Sequence, residues 1–168
     1  HHEESWERLA REIGKPLPSG HFRRGFGRRN IEIMRDMLEW SQDLEEIDRL
    51  SRRKEELYRE VVQDRGIEPL PGVRTWLERL AGAGIPCGIG SSTEAKNVEL
   101  GLEKLGLARF FQTAVTAEHV QKGKPAPDVF LEVARRLGVE ASRCVVFEDA
   151  PAGVEAGCAA GMKVVGVT

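Results

Sequence analysis

The chain has 168 residues, 40% of them hydrophobic, and no apolar run of about eighteen residues, so it suits one sizeable soluble domain or two small ones and excludes a membrane-spanning helix. Lysines and arginines number 25 against 27 aspartates and glutamates, a net charge of -2, and no global field draws a nucleic acid or an anionic membrane surface. The three cysteines, Cys87, Cys144 and Cys158, sit in apolar or small-residue segments without metal-ligand spacing, which predicts reduced, buried thiols in a cytoplasmic protein.

In chain order, the first predicted elements are helices over Glu3–Ile13, Asn30–Trp40 and Asp43–Gln63. The last carries Asp43 and Glu46 as a capping-box pair and an apolar face of Leu44, Ile47, Leu50, Leu57, Tyr58 and Val61. Gly66-Ile67-Glu68-Pro69-Leu70-Pro71-Gly72 breaks both helical and strand patterns and marks a joint. It divides a helical domain, residues 1–68, from an α/β domain, residues 69–168. Beyond it, helices Val73–Ala81, Thr93–Leu105, Asp128–Leu137 and Ala152–Ala160 alternate with short apolar runs at Ile85–Ile89, Ala114–Val115, Cys144–Phe147 and Val164–Val167. Such alternation predicts a parallel, doubly wound, Rossmann-like sheet.

The polar residues at the ends of those runs carry the chemistry. Ser91, Ser92 and Thr93 follow the first run, Lys124 lies in Lys122-Gly123-Lys124-Pro125-Ala126-Pro127-Asp128 beyond the second, and Glu148-Asp149 close the third. Ligands of open parallel sheets bind outside the carboxyl ends of the strands, so hydroxyls, an ammonium and two carboxylates are expected at one rim. The hydroxyls can cap the following helix and bind phosphate at its N-terminus together. Lys124 is held by the Pro-Ala-Pro-Asp that follows it, whereas Lys122 reads as a solvated lysine. Glu148 and Asp149 can cap a helix, but adjacent carboxylates repel, and a hard cation such as Mg²⁺ would neutralise them.

These three segments resemble motifs two, three and four of the haloacid dehalogenase (HAD) phosphatases, in the subgroup that includes β-phosphoglucomutase. Pro71-Gly72 before a helix and Ala150-Pro151-Ala152-Gly153-Val154-Glu155-Ala156 after the acidic pair share the likeness, which covers almost the whole chain. The resemblance implies a HAD-like α/β core with a small all-α cap and an aspartyl-phosphate mechanism. By position, Ser91 matches the hydroxyl that hydrogen-bonds the transferring phosphoryl group, Lys124 the lysine that neutralises its oxygens, and Glu148 with Asp149 the acidic pair around Mg²⁺. The family's first motif, an Asp-x-Asp bearing the nucleophile, is not in the 168 residues. Without the central strand that carries it, a gap of roughly 10 Å would leave two rows of backbone groups unpaired. The sequence is therefore expected to continue upstream of His1 with that strand, and beyond Thr168.

The cap is expected to select the substrate. Arg23-Arg24-Gly25-Phe26-Gly27-Arg28-Arg29 concentrates guanidinium groups in a loop between flexible glycines. Arg24, Gly25 and Arg28 resemble the substrate loop of β-phosphoglucomutase, where the first of these is a lysine, and His2, four residues before Trp6, resembles the start of such a cap. The resulting expectation is a Mg²⁺-dependent phosphohydrolase of small phosphorylated metabolites, sugar phosphates foremost, with a phosphomutase or a non-catalytic module of the same fold as alternatives. Arg24-Gly25-Phe26-Gly27 also opens like an RNA-recognition strand motif, but Arg28-Arg29 end the match where aromatic and β-branched residues should follow. No nucleic-acid, membrane or obligate protein partner is expected.

Overall fold

The computed structural model describes residues 1–167. The chain forms two compact units, one running from His1 to Gly66 and the other beginning at Ile67.

The first unit is helical: α1 (His2–Ile13), α2 (His21–Gly25), α3 (Asn30–Glu32), a π-helical turn over Ile33–Met37, and α4 (Leu44–Arg65). Trp6, Leu9 and Ala10 of α1 pack with Ile47, Leu50 and Leu57 of α4 and with Ile33, Met34 and Trp40 between them. Each fully buried leucine of this set contributes about 1.5–3 kcal/mol. The helix predicted over Asn30–Trp40 runs to Met37, its second part as the π turn, and ends before Trp40. The π turn and a left-handed Glu39 (φ 51°) swing Trp40 inward, where it is 4% exposed and its indole N–H donates to Pro16 O at 3.0 Å. Burying that ring outweighs continuing a regular helix. Asp43 caps α4 by accepting from Glu45 N at 2.9 Å. Its predicted capping-box partner does not reach back, because Glu46 accepts instead from Ser41 Oγ at 2.6 Å. Leu44, at the first helical position, is exposed rather than part of the apolar face.

In the second unit, helices alternate with short parallel strands: α5 (Val73–Gly82), β1 (Gly88–Gly90), α6 (Ala95–Leu105), β2 (Thr113–Val115), α7 (Asp128–Leu137), β3 (Val145–Glu148), α8 (Pro151–Ala159) and β4 (Lys163–Gly166). β1 pairs with β2 in the register Ile89 to Ala114, and β3 with β4 in the register Phe147 to Val165. Among the described residues the two ladders do not join, so each strand has one partner. The run predicted at Ile85–Ile89 becomes a strand only from Gly88, since Pro86 has no N–H to give a ladder and Ile85 is exposed. Val115, Val129, Phe130, Ala134, Val146, Ala156 and Met162 make one apolar cluster, and Leu77, Leu107 and Phe110 another. β3 alternates: Val146 is buried, while Val145 and Phe147 are each 50% exposed, Phe147 meeting Trp76 of α5 edge-on at 6.2 Å between centroids.

The cysteines are free, as expected, but not all buried: Cys87 and Cys144 are half-buried and Cys158 is exposed on α8. Partial burial raises the thiol pKa of the first two. Among the described residues no helix is long and apolar enough to cross a membrane.

Candidate active site

The rim beyond β1 and β2 is tied together by the backbone. Ser91 N donates to Val115 O at 2.9 Å and Ala117 N to Thr93 O at 3.0 Å, so the loop after β1 lies against the loop after β2. Ser91 Oγ accepts from Thr93 N at 3.3 Å, and Thr93 Oγ1 accepts from the buried Asn97 Nδ2 at 2.8 Å. This turn leads into α6, whose N-terminal dipole favours an anion. Ser91 and Ser92 are half-buried there, with Ser92 engaged by its surroundings.

Three residues of the β2 loop, none singled out from the sequence, brace this arrangement. Thr116, 1% exposed, donates its hydroxyl to Glu118 and its backbone N–H to His119 Nδ1 at 3.0 Å. Glu118 Oε1 in turn accepts from Ala95 N at the start of α6, at 3.1 Å. Burial raises the Glu118 pKa, but the hydrogen bonds from Thr116 and the backbone outweigh it and hold the carboxyl below its usual range. The sequence signal was a Thr-x-x-His capping pattern immediately after an apolar run.

Lys124 is 5% exposed and Lys122 is exposed, which separates the two lysines as the sequence suggested. The Lys124 ammonium donates to Glu148 Oε2 at 2.8 Å and stands 4.7 Å from the centroid of Phe130. That ring reaches beneath it because Gly90 has no side chain: a Cβ there would meet Phe130 Cδ1 at 3.0 Å. The end of β1, the start of α7 and the end of β3 thus converge on one cation.

The two carboxylates fare differently. Glu148 is committed on both oxygens, to Lys124 and, through Oε1, to Ala150 N at 3.2 Å. Its neutralising cation is the lysine. Asp149 is exposed, and no hydrogen bond or ion pair engages its carboxylate among the described residues. Among the described residues no group of three or more His, Cys, Asp or Glu side chains is gathered to hold a metal. One exposed carboxylate beside a buried lysine still fits Mg²⁺, which takes one or two carboxylates and fills its shell with water and other oxygen ligands.

In the helical unit the structure describes the expected substrate residues separately. Arg24 and Arg28 are exposed. Arg23, Arg24 and Gly25 lie on the short helix α2 rather than in the predicted loop, and Gly25 is buried, its missing Cβ admitting Ile33 Cδ1 at 3.1 Å. It is a packing glycine, not a hinge. His2 stacks on Tyr58 with centroids 3.9 Å apart, and its Nδ1 accepts from Lys54 Nζ at 2.8 Å, which leaves Nε2 as the protonated nitrogen. Lys54, 3% exposed, also donates to Glu55 Oε1 at 3.1 Å, which accepts from Asn30 Nδ2 at 2.7 Å. Lys54 and Glu55 went unnoticed in the sequence, although Lys54 falls four residues after Leu50 on the apolar face of α4.

Burial, then the Lys54 charge, push the His2 pKa well below its ordinary value, so the folded unit holds the ring neutral. The unfolded chain takes up that proton below about pH 6.5, so the stability tied to His2 is fully present above that pH and is lost as pH falls. Urea unfolding of His2→Gln and of the unaltered protein should show curves that differ most near neutral pH and converge toward pH 5. A difference constant with pH would refute the neutral ring.

Residues 2–167 match the family described as haloacid dehalogenase-like hydrolase. The chain is 43% identical over 121 residues to the fructose-1-phosphate phosphatase YqaB of Escherichia coli, covering 70% of this chain and 61% of that enzyme. It is 32% identical over 164 residues to the phosphorylated carbohydrates phosphatase of Thermotoga maritima, covering 95% of this chain and 74% of that one. The crystal structure of β-phosphoglucomutase from Clostridium difficile superposes with a TM-score of 0.87 at 28% identity, covering 99% of this chain and 77% of that one.

Proposed function

The chain belongs to the haloacid dehalogenase-like hydrolases, and from that premise we propose that it serves a Mg²⁺-dependent phosphohydrolase of small phosphorylated metabolites, sugar phosphates in particular. The observation that carries the reading is the buried Lys124, fixed by Glu148 and Phe130 beside a hydroxyl-bearing turn and a free carboxylate. The likeness to phosphatases of fructose 1-phosphate and of phosphorylated carbohydrates supports the substrate class.

In this reading Lys124 binds a phosphoryl oxygen and offsets the charge that builds on it, while Ser91 donates a hydrogen bond to a second oxygen. Glu148 keeps the ammonium aimed. Asp149 would hold Mg²⁺, which when bound screens the phosphate's negative charge from an incoming anionic nucleophile. The nucleophile is an aspartate on a strand seated between the two ladders, a place that the single partner of β1 and of β3 among the described residues supports. His2, Arg24, Gly25 and Arg28 belong to the cap that shapes the substrate end, with Arg24 and Arg28 as the cations and Gly25 setting the α2 packing that presents them.

Phosphate release from a panel of hexose, pentose and hexitol phosphates, with Mg²⁺ and with chelator, tests the reading on the protein as the cell makes it. Release that needs Mg²⁺ and favours sugar phosphates is expected; none from any member would refute it. The likeness to β-phosphoglucomutase favours a second reading, a phosphomutase. Conversion of β-glucose 1-phosphate to glucose 6-phosphate in the same assay would replace the first.

Arg24→Ala should raise KM for the preferred substrate about tenfold or more and leave kcat within a few-fold, because a distal cation binds ground and transition states alike. Unchanged kinetic constants would remove Arg24 from the substrate site.

A further inference from the structure

We propose that Gly153 is a positioning residue for Lys124, acting through Glu148, and this rests on the reading of Lys124 as the phosphate-binding cation. Gly153 lies in the first turn of α8, which begins at Pro151. A Cβ built on it would overlap Glu148 at Cγ, Cδ and Oε1 outright. The Glu148 side chain cannot simply swing aside, because Oε1 is held by Ala150 N and Oε2 by Lys124 Nζ. Its carboxylate is folded down onto the bare backbone of α8, and only from there does it meet the buried ammonium. Any side chain at residue 153 lifts the carboxylate off that seat and separates it from Lys124.

Gly157, one turn along the same helix, supplies a contrast. A Cβ there would meet Val164 Cγ2 at 2.7 Å and Val146 Cβ at 3.4 Å, so it packs α8 onto β4 and the buried side chain of β3, and its nearest atoms include none of Glu148 or Lys124. Both glycines are costly helix formers relative to alanine, and both mark a close approach. Only one of them concerns the site.

The test is the rate at which a water-soluble acylating reagent modifies Lys124, read by peptide mass spectrometry against the exposed Lys122. In the unaltered protein Lys124 should be nearly inert, since it is buried and ion-paired. In Gly153→Ala its rate should rise roughly tenfold or more while Lys122 and the circular dichroism spectrum stay the same. Gly157→Ala should loosen the packing without exposing Lys124. An unchanged Lys124 rate in a folded Gly153→Ala protein overturns the proposal, and so does an equal rise in Gly157→Ala. Should Gly153→Ala fail to fold, the comparison passes to the Glu148→Ala background, where the obstructing side chain is gone. There the added alanine should leave the melting temperature the same or higher, and a lower one overturns the proposal. None of these measurements uses a substrate, so their outcome is separate from that of the phosphate-release panel.

Discussion

Lys124→Ala should lower kcat/KM for Mg²⁺-dependent phosphate release by about 10²–10³ and should also destabilise the second unit. The catalytic loss follows from removing a fixed, dehydrated charge donor from the oxygens that gain charge in the transition state. The stability loss has a different origin. The Glu148 side chain is 10% exposed, and without its partner it keeps one backbone N–H as its remaining hydrogen-bond donor. Removing one member of a buried pair costs about 3–5 kcal/mol, a large part of a total of about 5–15 kcal/mol. A unit of this size should then melt lower by on the order of 10 °C or more. Combining the change with Glu148→Gln should restore part of the stability and none of the turnover, because the neutral amide no longer needs a cation while the phosphate still does. Near-normal turnover in a folded Lys124→Ala protein would sink the assignment of Lys124.

Much of this site was legible in the sequence because strand ends are. Once Gly88–Gly90, Thr113–Val115 and Val145–Glu148 are read as parallel strands, Ser91 and Glu148 must lie at their carboxyl ends, and Lys124 is distinguished from Lys122 by the prolines that follow it. Residues that act by fitting a neighbour were not legible. Gly90 and Gly153 look like ordinary glycines in the chain, and only the proximity of Phe130 and Glu148 gives them a role. Lys54 interrupts an apolar face and thus carried a faint signal, but its partner His2 comes from another helix, as does Asn30, which donates to the neighbouring Glu55. The same limit explains the helical errors. Periodicity supported a helix through Trp40, and the packing of that indole against Trp6 at 5.8 Å between centroids decided otherwise. The arginine segment looked like a loop because of its glycines, while tertiary packing of Gly25 against Ile33 made its first half helical.

Asp149→Asn separates chemistry from folding in a way that no change at Lys124 or Glu148 can. Adjacent in sequence, the two acidic residues differ in what surrounds them: Glu148 is spent on Lys124 and a backbone amide, whereas Asp149 is exposed and unengaged among the described residues. An exposed, unpaired carboxylate contributes within about 0.5 kcal/mol to stability, so the melting temperature of Asp149→Asn should match that of the unaltered protein. Mg²⁺-dependent turnover should nonetheless be lost, because a neutral carboxamide replaces an exposed carboxylate placed to take a hard cation at this rim. Raising the Mg²⁺ concentration should recover a fraction of the activity, since the amide oxygen remains a weak ligand. Glu148→Gln should behave otherwise, losing both stability and turnover and recovering neither with added metal. If Asp149→Asn turns over normally at limiting Mg²⁺, the metal does not bind through Asp149.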